Sequence, residues 1–142
     1  MSRPAVLALA LTLAACTERG QEGSGVRGVE PEVIRVGTYG PLTGPQAAWG
    51  DALRGMKAYF RWINHQGGVH GRKLELYVKD DGYDPSRTPR VVRALVERDE
   101  VFAVVGGIGT APGRAAAPLL ERAGVPFFTP ASGAQWFSSP EG

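Results

Sequence analysis

The sequence predicts an α/β domain built on a parallel sheet with helices on both faces. Three observations predict it. Short β-prone apolar runs alternate with segments of helical period. Those helical segments can serve as crossovers, and right-handed crossovers between parallel strands place helices on both faces. The run Val101-Phe102-Ala103-Val104-Val105 is apolar throughout, the pattern of a strand covered on both sides.

Each element has its own justification. Val33 to Tyr39 is a β-prone run, broken by Gly40-Pro41-Leu42-Thr43-Gly44-Pro45. A helix follows, with Leu53, Met56, Tyr59/Phe60 and Ile63 on one face. Gly67 and Gly68 end it as C-cap glycines do. Leu74, Leu76 and Val78 alternate with polar residues as a second strand. Asp84-Pro85 opens the second helix, since Asp is a good N-cap and Pro suits the first helical position. Val91, Val92, Leu95 and Val96 form its apolar face. After the third strand, Val101–Val105, a third helix runs from about Gly113 to Ala123, with Pro118 early in it or bending it. Val125-Pro126-Phe127-Phe128-Thr129 is the fourth strand, and Pro130-Ala131-Ser132-Gly133 breaks it.

Composition bounds the function. The chain has 142 residues, 43% hydrophobic and 21% charged, which suits one domain of moderate size. The net charge is only +2, and no Lys/Arg stripe runs along a helix, which argues against a nucleic-acid partner.

The only cysteine is Cys16, so no internal disulfide can form. Arg3 precedes an apolar run from Ala5 to Leu13, too short to span a membrane but suited to a signal-peptide core. It ends in Leu13-Ala14-Ala15-Cys16, which resembles a bacterial lipobox. The resemblance implies that residues 1–15 are a lipoprotein signal peptide and that Cys16 is acylated as the first mature residue. The alternative is a plain secretory signal with an incidental cysteine. Two or more acyl chains, at roughly 0.8 kcal/mol per buried methylene, give stable anchoring. Residues 16–32 are polar and Gly-rich and read as a flexible tether. Residues 33–142 are the folded part.

In open parallel sheets, ligands sit outside the carboxyl ends of the strands. Three loops there are small, with glycines and hydroxyls: Gly40 to Pro45 followed by Trp49, Gly106-Gly107-Ile108-Gly109-Thr110-Ala111, and Thr129-Pro130-Ala131-Ser132-Gly133. Small residues admit a ligand to backbone N–H groups, and helix N-termini favour its anionic end. Trp49 supplies an apolar wall. The turns around Gly44 and Gly68 read as ordinary punctuation.

A resemblance becomes specific here. The chain carries Gly44-Pro45 followed by Trp49-Gly50-Asp51, then Ile63-Asn64…Gly67-Gly68-Val69…Gly71-Arg72-Lys73-Leu74. It continues with Asp80-Asp81…Asp84-Pro85, Val105-Gly106, and Gly124-Val125-Pro126…Thr129-Pro130-Ala131. In order and spacing, over nearly all of Ile34 to Trp136, these resemble the type I periplasmic binding proteins of the leucine/isoleucine/valine-binding family. The resemblance implies an incomplete N-terminal lobe of a two-lobed receptor that closes on a solute. It implies that Trp49 packs on the ligand, that Thr110 binds a ligand carboxylate aided by backbone N–H groups of Gly109 and Ala111, and that the Ala131 carbonyl takes a ligand ammonium. Gly133 stands where amino-acid binders often carry Thr; a hydrogen bond to a charged group is worth roughly 1.5–3 kcal/mol, so the departure puts amino-acid specificity in question, with Ser132 the neighbouring hydroxyl. Some members also join the loops near Tyr83 and Gly109 by a disulfide; this chain has neither cysteine.

Other signals read as structural. Asp80, Asp81 and Asp84 read as a strand end and a helix cap rather than a metal or acid/base site. His65 and His70 flank a glycine turn without a partner at metal-ligand spacing. Gly107-Ile108-Gly109 lacks the third glycine of a dinucleotide fingerprint, and Ser132 lies in no nucleophile elbow. Tyr59, Phe60 and Trp62 read as core and edge packing.

The expectation is therefore an extracytoplasmic solute receptor for an ABC importer, in the periplasm or at the cell surface, lipid-anchored, without catalysis, cofactor or metal. Its implied partners are ABC permease subunits and a small amino-acid-like or carboxylate/amide solute, branched-chain amino acids in the namesake members. Its implied site residues are Trp49, Gly109, Thr110, Ala111, Ala131, Ser132 and Gly133. The alternative reading is the ligand-sensing domain of a signalling receptor, which needs a downstream membrane helix and output domain. An exported enzyme would need a nucleophile–base pair or metal cluster.

Overall fold

The computed structural model describes residues 25–138. Cys16, the signal segment and the first part of the expected tether lie outside the described residues. Four strands, β1 (Val33–Gly40), β2 (Lys73–Asp80), β3 (Ala103–Val105) and β4 (Phe127–Phe128), form one sheet in the order β2-β1-β3-β4. Every pairing is parallel, as the strand–helix alternation predicts. The connections are α1 (Asp51–His65), α2 (Thr88–Arg93), which runs on as a π-helical turn (Ala94–Arg98), and α3 (Thr110–Arg122).

Successive strand residues face opposite sides, and β1 shows which helix covers which side. Tyr39 points into a core with Val92, Leu95, Val104, Ala116 and Leu120, supplied by α2, β3 and α3. A Cβ on its neighbour Gly40 would sit 3.1 Å from Leu53 of α1. Thus α2 and α3 share one face and α1 lies on the other. α1 is fastened by a polar clamp: the Asn64 amide donates to the Leu74 carbonyl (2.8 Å) and accepts from the Leu74 N–H (2.7 Å). The helix then turns sharply through Gly68, at φ 75°, where a Cβ would lie 2.0 Å from the Arg72 carbonyl oxygen. Only glycine fits that approach.

The structure corrects several expectations. The second helix begins at Thr88, not at Asp84-Pro85. The Asp84 carboxylate accepts the Ser86 N–H (2.8 Å) and hydroxyl (2.7 Å), while its carbonyl accepts from Arg87 and Thr88. Asp84 thus closes a separate turn, and Pro89 takes the early helical position. The third helix starts three residues before Gly113, which makes Thr110 its first residue and puts Pro118 inside it. β3 and β4 are shorter than the apolar runs that signal them. Tyr59 and Trp62 are not core: they are 58% and 55% exposed and stack on one another at 5.6 Å. The last residues of the expected tether are tied to the body. Val29 bridges Ile34, the Gly28 carbonyl accepts from Arg35 (2.8 Å), and the Arg27 guanidinium donates to the Val96 carbonyl (3.1 Å).

Candidate functional site

β1 lies between β2 and β3, so the chain leaves it in one direction through α1 and returns on its other side through α2. The loops after β1 and β3 therefore diverge at a switch point, where parallel sheets form ligand crevices. Carboxylates at the end of β2 hold the loop after β1 and the loop after β2 itself. Asp80 accepts the N–H groups of Leu42 (2.9 Å), Thr43 (3.3 Å) and Gly82 (2.9 Å) and the Thr43 hydroxyl (2.5 Å). Desolvation pushes its pKa up, but those hydrogen bonds outweigh the push and hold it below the usual carboxylate value. Asp81, fully buried, accepts the Tyr83 N–H and the Thr88 hydroxyl, both at 2.9 Å. For Asp81 burial wins over its hydrogen bonds, and the pKa is raised. Both carboxylates thus organise backbone, and among the described residues no group of three acidic, His or Cys side chains could hold a metal.

The loops after β3 and β4 prolong the sheet beyond its strands. The Gly109 N–H donates to the Ala131 carbonyl (3.1 Å), and the Ala131 N–H donates to the Gly107 carbonyl (2.9 Å). This zipper brings the Thr110 and Ser132 hydroxyls to 2.7 Å of each other. Ser132 Oγ also accepts the Ala134 N–H at 3.1 Å. Gly109 is the N-cap of α3 at φ 106° and offers no side-chain cap. The Thr110 and Ala111 N–H groups carry no hydrogen bond within the described residues, so the positive end of α3 opens outward.

These parts enclose a cleft of about 410 Å³. Of the residues singled out in the sequence, Trp49, Gly109, Thr110, Ala131, Ser132 and Gly133 line it; Ala111 sits one position further along α3 and does not. Trp49 is 62% exposed, a ring turned to the cleft rather than to the core. Ala52, Ile108 and Tyr83 also line the cleft and were not among the residues picked from sequence. Tyr83 comes from the loop after β2, whose position at the carboxyl edge is the signal that points to it.

Residues 33–142 match the family model of the periplasmic binding proteins. The leucine-, isoleucine-, valine-, threonine- and alanine-binding protein of Pseudomonas aeruginosa is 35% identical over 109 residues, 76% of this chain and 29% of that protein. A substrate-binding periplasmic protein from Ralstonia solanacearum shares the fold with a TM-score of 0.71 and 35% identity, over 75% of this chain and 31% of that one. A solute-binding protein of an ABC transporter from Rhodopseudomonas palustris, solved with 3,4-dihydroxybenzoic acid, aligns with a TM-score of 0.59 and 36% identity, over 67% of this chain and 26% of the other. The chain thus spans less than a third of the length of these relatives. On the match over residues 33–142, this chain belongs to the periplasmic binding protein family.

Proposed function

We propose that this chain supplies part of the first lobe of an extracytoplasmic solute receptor that serves an ABC importer. The observation that carries the reading is the cleft at the switch point, where Trp49 faces the paired hydroxyls of Thr110 and Ser132 beside the open N-terminus of α3. A small solute with a carboxylate or amide end suits it: the hydroxyls and the Thr110 and Ala111 N–H groups take the polar end, and Trp49 covers the apolar part. The named ligands of the relatives, aliphatic amino acids in one and a dihydroxybenzoic acid in another, both have that form. Closure of a second lobe over the solute, by a hinge, would create the shape a permease recognises. Acylated Cys16 would keep the receptor at the membrane through the polar, Gly-rich segment that follows it.

The test is calorimetric titration of the full-length gene product with isoleucine, alanine, 3,4-dihydroxybenzoate and an amide analogue of the acid. At least one is expected to bind, and Thr110→Val is expected to weaken it about 10- to 100-fold, the equivalent of one hydrogen bond to a charged group. Binding that is indifferent to Thr110→Val and to Trp49→Ala would place the solute elsewhere and end this reading.

A further inference from the structure

The loop after β2 holds one aromatic residue in an uncommon posture. Tyr83 has φ 63°, the left-handed region that bulky side chains rarely occupy. Its N–H is held by buried Asp81, and Asp81 is held by the Thr88 hydroxyl at the start of α2. The outcome of that conformation is a ring set against the ligand cleft. The Tyr83 ring lies 6.2 Å from Trp49 at 59°. Its edge rests on Gly109, where an added Cβ would be 2.6 Å from Tyr83 Cε2. The phenol hydroxyl has no hydrogen-bond partner among the described residues.

The polar end of the cleft has a matching bias. No charged side chain lines it. The Ala131 carbonyl, the acceptor an ammonium would use, is shared with the Gly109 N–H, which leaves one lone pair for a ligand. Gly133 offers no hydroxyl, and the space beside its Cα is open for 4 Å. Hydroxyls and N–H donors, in contrast, are plentiful at Thr110, Ala111 and Ser132. This lobe therefore presents several donors for a carboxylate, two tilted rings for an apolar body, and one shared carbonyl for an ammonium.

We propose that Tyr83 is a further specificity-determining residue, which together with Trp49 selects a planar aromatic carboxylic acid over an aliphatic amino acid. The proposal rests on the reading of this cleft as the solute site. A flat ring can meet both aromatic side chains in offset or edge contact, whereas a branched aliphatic chain meets only their area. The uncommon backbone at Tyr83 is what aims the second ring.

The experiment titrates the full-length protein with benzoate, 4-hydroxybenzoate and leucine, in the parent and in Tyr83→Leu, Tyr83→Phe and Thr110→Val forms. Thermal unfolding of each variant checks that it folds. Expected is tighter binding of the aromatic acids than of leucine. Tyr83→Leu should weaken the aromatic acids about tenfold while leaving leucine within about threefold, and Tyr83→Phe should restore the aromatic acids. Tighter binding of leucine, no binding of either aromatic acid, or equal losses for both classes in Tyr83→Leu would overturn the proposal. If Tyr83→Leu fails to fold, equal affinity of the folded parent for leucine and the aromatic acids overturns it as well. Loss of any bound probe in Thr110→Val keeps the site reading standing even when the Tyr83 proposal falls.

Discussion

The two faces of the sheet are built differently. On one face α2 and α3 lie side by side, and Val92, Leu95, Val101, Val104 and Leu120 are essentially without solvent contact. On the other face α1 lies alone. Leu53 is its single buried residue, Met56, Phe60 and Ile63 are half-buried, and Tyr59 and Trp62 face solvent. Phe128 at the β4 edge is 51% exposed. Geometry explains the contrast. A helix with its side chains is about 10 Å wide, whereas four strands at about 4.8 Å spacing make a broader surface. Two helices cover it and one does not. The lesson is that an apolar period in a helix marks a face able to be buried, while the number of neighbours decides how much of it is.

That contrast can be broken at three places. The largest effect is expected at Leu95, which packs under β1 close enough to put a Cβ on Gly37 at 3.1 Å from its methyl group. Leu95→Ala should cost about 2–5 kcal/mol, read as a lower urea midpoint at unchanged slope. A loss comparable to a surface substitution would mean that the α2/α3 core is not where stability resides. A smaller effect is expected at Asn64, where the lone helix is held by polar means. Asn64→Ala leaves the Leu74 N–H and carbonyl unpaired, at about 1–3 kcal/mol, and should raise hydrogen exchange across α1 ahead of α3. Equal exchange in both helices would remove the distinction. Least of all is expected from Tyr59→Ser with Trp62→Ser. If these rings are surface in solution, thermal stability should stay within about 0.5 kcal/mol of the parent; a drop of several kcal/mol would show that a covering partner buries them.

The strand–helix alternation was legible because it is local: Val101–Val105 and the Leu95-Val96 face announce themselves by pattern. The start of α2 was not, because Asp84 can cap either a helix or a turn, and Pro89 and buried Thr88 decided for the turn. Thr110 was picked from its place after a glycine loop, and the structure puts it, with Ser132, at one cleft. Tyr83 has no such signal, because it sits in an acidic loop after the second strand and not in one of the small glycine and hydroxyl loops after the first, third and fourth. Its ring reaches the cleft only through the Asp81 hydrogen bond and a left-handed backbone, neither of which has a periodic signature.

The sequence by itself determined the element types, their order and the parallel sheet, since hydrophobic period and Gly/Pro punctuation act over a few residues. It also carried the motifs that place residues 33–142 in their family. Only the tertiary structure decided that α1 stands alone on its face and that Asp80 and Asp81 serve as loop anchors. It also set the 2.7 Å pairing of Thr110 with Ser132 and the meeting of Tyr83 with Trp49. The Leu42–Asp80 and Thr110–Ser132 pairs join residues 38 and 22 positions apart. Which partners meet at such separations is settled by how the sheet orders its strands.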